Sequence, residues 1–422
     1  MAQTGKAVIG TISRGIGFFT KQDPDWKVTV ARTNSTMFLY RLLVPYMSIY
    51  IMALGATGTQ LGIVNSVGMA IAGISAPLNG WLIDKTGIKK IYLIGIVILA
   101  VSYLIYGLAQ SWPIIIIAMV AYWLGSNASI QGCGVICANC LKSDERVTGM
   151  SLCETFGMGL LGLAAPMVGA WLVTAFGGVN VNGIRPLFFV CAAGVVATFF
   201  LILTQLSNRR WRPISGASIS FLKGISQVFK EGRNLKRWLI FASLTGMEMG
   251  VVTPYIQPFA HDFKGANQFV LGAMVTASAV VPLVLGIPFG RLADRIGRKK
   301  VLYLTIPLIW ASYLMLVFAP NSSFLIVSGV FQGFFIISVI TTSAMSREMV
   351  PPEQMGTWMG IMLFCQMLFG ACLVYVSGII WDKVGPQYVF IVIMAINLIR
   401  IPLLIGMPET LGSRGKIHHT ST

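Results

Sequence analysis

The chain carries a dozen apolar stretches of membrane-crossing length joined by short polar segments, and no other feature restricts its fold so tightly. A bilayer core demands about 20 apolar residues per crossing helix and leaves no water to pair backbone amides, so such a chain must bundle as α-helices. The expected spans run near Asn34 to Leu54, Gln60 to Gly80, Ile91 to Leu108, Pro113 to Leu141, Thr148 to Thr174 and Pro186 to Leu206. Six more lie near Arg237 to Phe259, Gln268 to Leu292, Val301 to Phe318, Phe324 to Ala344, Thr357 to Ile380 and Tyr388 to Met407. With 55% hydrophobic and 11% charged residues, a soluble globular fold is excluded.

Two charged loops interrupt the apolar runs. Gly80-Trp81-Leu82-Ile83-Asp84-Lys85-Thr86-Gly87-Ile88-Lys89-Lys90 returns 210 residues later as Gly290-Arg291-Leu292-Ala293-Asp294-Arg295-Ile296-Gly297-Arg298-Lys299-Lys300. Gly80, Gly87, Gly290 and Gly297 permit a sharp turn between closely packed helices, and the basic residues stay in water beside anionic headgroups. A second echo, Ser143-Asp144-Glu145-Arg146 against Pro352-Glu353-Gln354-Met355, supports an internal duplication. The expected division is an amino-terminal segment 1–33, a six-helix bundle 34–207, a basic linker 208–236 with a surface helix near 219–229, a second bundle 237–407 and a tail 408–422.

The net charge of +17 would point to nucleic acid in a soluble protein, but its placement argues for topology. Lysine and arginine crowd the segment before the first span, the loops after even-numbered spans and the linker, while the opposite loops hold Arg185, Lys264 and Lys383. This asymmetry puts both termini in the cytoplasm of a multi-pass cell-membrane protein, with no cleavable signal peptide and no nucleic-acid partner expected.

The repeated GxLxDxxGRK loop resembles the signature of the major facilitator superfamily of secondary transporters, with Ile88 replacing the usual arginine in the first copy. The resemblance implies an all-α fold of twelve transmembrane helices in two pseudo-symmetric bundles. It also implies that Asp84 and Asp294 latch onto the start of a helix from the other half, with Arg298 as a charge partner. Ala165-Pro166-Met167-Val168-Gly169-Ala170 resembles the GPxxGG core of the superfamily's antiporters, and Pro166 with Gly169 makes a hinge or a tight seam. Pro408-Glu409-Thr410-Leu411-Gly412 is similar to a sugar-porter motif but, with leucine in place of its lysine, reads as a chance match or a helix stop. Ala121 stands near the place of the fourth-helix arginine tied to proton coupling in family antiporters.

An ionisable group in hydrocarbon costs several kcal/mol, so three such residues are candidate substrate or coupling groups: Arg41, Glu248 and Glu154. Because the first and seventh helices face each other across the central cavity in the superfamily, Arg41 and Glu248 are expected to form a pair there or to share it. Asn127, Gln131, Gln332 and Tyr40 add neutral polar groups. Cys133, Cys137 and Cys140 share a helix face that would suit a soft metal, but small residues for packing is the simpler reading. No enzyme motif and no cofactor motif is present. The expected function is proton-coupled efflux of drug-like or amphipathic compounds by a monomer; the alternative is import of a sugar or organic anion that Arg41 contacts.

Overall fold

A computed structural model describes residues 21–86, 88–141, 160–208, 235–350, 355–407 and 409, and those residues contain helices and no strand. In chain order the helices are α1 (Pro24–Leu43), α2 (Met47–Ala53), α3 (Gly58–Thr86), α4 (Ile88–Leu108), α5 (Trp112–Cys140), α6 (Leu160–Ala175) and α7 (Val181–Gln205). The second half holds α8 (Leu235–Pro258), α9 (Gln268–Ile296), α10 (Arg298–Val317), α11 (Ser322–Glu348), α12 (Met355–Lys383) and α13 (Pro386–Ile405). A π-turn, Phe259–Phe263, extends α8. With α1 and α2 taken as one broken rod, twelve rods result among the described residues. Nine are long and apolar enough to cross a membrane, or ten with the broken pair, and α3 and α6 complete the set.

The first rod departs from expectation at both ends of α1. Asp23 accepts the amide of Asp25 and Pro24 sits at the first helical position, so α1 begins ten residues before Asn34. Its polar first turns are buried rather than solvated: the Asp25 carboxylate takes the amide and hydroxyl of Ser207 at the end of α7. Pro45, which has no amide proton, then interrupts the rod, and α2 leaves at 44°.

The helix pairings repeat between the halves. In the first half α4 packs on α5 and α7, α3 on α5, and α1 on α6 and α7; in the second α10 packs on α11 and α13, α9 on α11, and α8 on α12 and α13. The halves meet through α3 against α12 and α6 against α9, and these two seams exchange under the same swap. Close crossings need residues without a side chain. At the α4–α5 crossing a Cβ on Gly125 would lie 2.6 Å from the Gly95 carbonyl oxygen.

The two charged loops close in the same way. Lys89 donates to the carbonyl of Leu206 at 2.6 Å, and Lys299 donates to the carbonyls of Ile405 and Met407 at 2.8 and 3.0 Å. Each lysine thus satisfies the carbonyl-rich end of the sixth or twelfth rod, where a cation is favoured. Glu409 is more than a helix stop. Its carboxylate accepts the amides of Arg298 and Lys299 at 3.1 and 3.2 Å and caps α10. Gly297, at φ +103°, leaves room for that carboxylate.

Candidate functional site

Glu248 lies 13 residues into α8, roughly 20 Å along the helix. Its side chain and that of Arg400 are each 1% exposed, and they form an ion pair at 3.2 Å. Tyr313 of α10 donates to Glu248 Oε1 at 2.6 Å, and the Asn397 amide donates to the same oxygen at 3.3 Å. Arg400 Nη1 also donates to Asn397 Oδ1 at 2.8 Å, and its guanidinium lies 5.0 Å from the Phe241 ring centre. Trp238, Phe241, Leu302, Met345, Trp358 and Leu404 pack as an apolar plug at the end of the second bundle nearest Arg400. Sequence reasoning missed Arg400, Tyr313 and Asn397. An arginine five residues from the end of the last helix was a legible signal, since it too lies in an apolar run.

Arg41 is not part of this cluster, which corrects the expected pairing. The Leu39 carbonyl accepts from Cys191 of α7, Tyr40 stacks on Tyr122 of α5 with ring centres 6.0 Å apart, and the Leu42 carbonyl abuts Gly169 of α6. Three faces of α1 are thereby covered. Arg41, half-buried, occupies the remaining face and makes no hydrogen bond or ion pair to a described residue. Its counterpart under the 209-residue repeat, Gly250, abuts Met69 of the opposite half, and α2, which continues the rod, touches α8.

The two halves are joined at the face carrying the loops after rods 1, 3, 5, 7, 9 and 11. Thr57 and Gln60 form a capping box at the start of α3, and Asp382 of α12 accepts the amides of Gly58 and Thr59 at 2.9 and 2.7 Å. Tyr255 donates to the carbonyl of Gly58 at 3.1 Å, and Tyr46 donates to the carbonyl of Gln268 at 3.0 Å. Gln268 in turn reaches the Thr174 hydroxyl at 2.8 Å. The partners lie 209 or 210 residues apart, Tyr46 with Tyr255 and Gly58 with Gln268, so the closure is itself two-fold.

The other candidates are dispersed. Asn127 donates to the Ala72 carbonyl at 2.9 Å and to Ser75 Oγ at 3.0 Å, tying α5 to α3, and Gln332 is half-buried, its Nε2 without a partner among the described residues. The small-residue face of α8 is packed, with Gly246 against Gln366 and Gly250 against Met69 and Gly370. Asp294 is 67% exposed and, among the described residues, pairs with Arg298 at 3.9 Å, whereas Arg298 binds Glu348 at 2.6 Å; the start of the span expected near Thr148, on the helix that α9 packs against, lies outside the described residues. Pro166 and Gly169 form a tight seam, the Pro166 carbonyl against Gly272 of α9. Gly290 lies in α9. Gly80 and Asp84 lie in α3, but the side chain of Asp84 and those of Gln131, Cys133 and Cys137 are outside the described set, as are Gly87, Glu154 and the linker segment 219–229. No group suited to a metal occurs among the described residues.

This geometry, two pseudo-symmetric sets of rods closed at one face, agrees with the sequence comparison. The profile described as Major Facilitator Superfamily matches residues 33–265 and 238–416. The chain belongs to that superfamily. With nine or ten of its described helices long and apolar enough to cross a bilayer, it is a multi-pass membrane protein. Among curated relatives, "Multidrug resistance protein MdtG" of Escherichia coli O9:H4 is 24% identical over 62% of this chain, and that of Enterobacter lignolyticus is 25% identical over 66%. The match spans 64% and 67% of those two proteins, about two thirds of their length. Among solved structures, the nucleoside transporter NupG superposes with a TM-score of 0.73 at 16% identity, covering 91% of this chain and 99% of that one. The human organic anion transporter MFSD10 gives 0.62 at 15% identity, covering 90% and 99%. These likenesses concern the fold.

Proposed function

We propose that the protein exports small amphipathic or drug-like organic molecules in exchange for protons, rocking bundle 34–207 against bundle 237–407 about a central site. The observation that carries this is Glu248, a carboxylate deep in α8 whose partners Arg400, Tyr313 and Asn397 favour its charged form while burial favours its neutral form. A group balanced between those tendencies suits uptake of a proton on one side and release on the other. The multidrug relatives support the substrate class. The positive-inside distribution puts both termini in the cytoplasm, which makes the closed face the outer one. Asp84 and Asp294 would latch the opposite face when that face closes, with Pro166 and Gly169 serving as the seam that bends. Glu154, Gln131, Asn127, Gln332 and Tyr40 remain proposed contributors to substrate binding or coupling.

The test is efflux of a fluorescent amphipathic dye driven by a pH gradient in vesicles. Glu248→Gln should abolish the gradient-driven component and spare dye exchange at equal pH. Unchanged gradient-driven efflux rules the proton role out. A second reading, import of a sugar or organic anion, is favoured by Arg41, whose charge faces the other bundle with no described counter-charge. Selective loss of anion uptake in Arg41→Ala would decide for it.

A further inference from the structure

The 209- or 210-residue repeat allows the niche around Glu248 to be compared with its own duplicate. Glu248, Tyr313, Asn397 and Arg400 correspond to Leu39, Tyr103, Phe188 and Cys191. The first-half set occupies the same place: Cys191 donates to the Leu39 carbonyl at 3.3 Å across α7 and α1, as Arg400 meets Glu248 at 3.2 Å across α13 and α8. The same helix pairing thus forms in the first half with Leu39 and Cys191 in place of the carboxylate and its guanidinium; the buried Arg32 of α1 acts on Tyr103 there but stacks on Tyr92 of α4, and no carboxylate joins it among the described residues. A buried ion pair contributes little stability beyond what packed apolar residues give, and a charge inside a membrane is retained where it acts. Arg400 carries a further mark. Among the described residues its Nε and Nη2 have no partner although the side chain is almost wholly enclosed, and Nη1 makes the contacts with Glu248 and Asn397.

We propose that the second bundle alone carries the proton-coupling machinery, and that Arg400 is its positioning residue, holding the Glu248 carboxylate while it is ionised and letting it go when a proton binds. This rests on the proton-coupled reading above. In the step, once the outer face has opened, a proton from the outer solution adds to Glu248 Oε2 and the contact with Arg400 Nη1 is lost. Arg400 keeps its own proton and charge and retains Asn397 Oδ1. The groups facing Glu248 are Arg400 and Asn397 from α13 and Tyr313 from α10; among the described residues of α2, α3, α11 and α12 no other ionisable group acts on it.

The experiment is infrared difference spectroscopy of the purified full chain in lipid discs, following the protonated-carboxyl band from acid to alkaline pH. A band that titrates in the wild type should vanish in Glu248→Gln. Its midpoint should move by at least about one pH unit in Arg400→Gln and stay near the wild-type value in Arg400→Lys, while Cys191→Ser leaves it unchanged. An unmoved midpoint in Arg400→Gln, or no Glu248-dependent band, overturns the proposal. Should Arg400→Gln fail to fold, the neutral pair Glu248→Gln with Arg400→Gln is decisive. Its failure to fold as well assigns the pair to structure and also overturns the proposal, while its folding with the dye exchange of Glu248→Gln retained supports it. The band needs no substrate, so a chain that titrates here but moves no dye down a pH gradient sinks the transport reading separately.

Discussion

Two residues of offset along an α-helix turn a side chain by about 200°, and this separates Arg41 from Glu248. The repeat makes Gly250 the counterpart of Arg41 and Leu39 the counterpart of Glu248. Arg41 consequently looks toward the other bundle, and Glu248 looks into its own, at Arg400. Gly297 shows the same dependence on one position. Its φ of +103° and ψ of +144° belong to a region that side chains rarely enter, and a Cβ there would meet the Glu409 carboxylate. Gly297→Ala should therefore lower stability by about 1–3 kcal/mol, read as a lower unfolding midpoint of the purified protein. A midpoint equal to the wild type would show that the loop relaxes without penalty.

At the scale of elements, the ends of the helices decide how the halves engage. The start of α3 leaves amides that its own capping box does not take, and Asp382 from the other half accepts two of them. A carboxylate there also meets the positive end of the helix dipole. Asp382→Ala should remove about 0.5–2 kcal/mol from this closure. With spin labels at Ser111→Cys and Ser322→Cys on opposite halves of that face, the variant should show a larger share of long distances than the parent. An identical distance distribution would make the Asp382 cap irrelevant to opening. The broken first rod follows from Pro45, and the early start of α1 from Asp23 and Pro24; both are local signals that the hydropathy of the span concealed.

For the whole molecule, the closed face is held twice, by Tyr46 on Gln268 and by Tyr255 on Gly58, at positions the duplication makes equivalent. The two latches differ in charge, since Asp382 reinforces one and the neutral Thr174 the other. Each tyrosine hydroxyl should contribute about 1 kcal/mol to closure. Because the latches share no partner, Tyr46→Phe and Tyr255→Phe should add within about 0.5 kcal/mol when combined, measured by the same label distances. Strong non-additivity would mean that the face opens one seam at a time rather than by a single rocking motion.

The sequence alone determined the helical membrane class, the duplication and the signature loops, because length, hydropathy and turn chemistry are written in neighbouring residues. It also marked Arg41 and Glu248 as costly to bury, since that follows from charge in an apolar run. Only the tertiary structure decided whom they meet. Glu248 finds Arg400 from 152 residues away through the rotation and register of α8, α10 and α13, and those angles come from side chains packing across helices rather than from any local pattern.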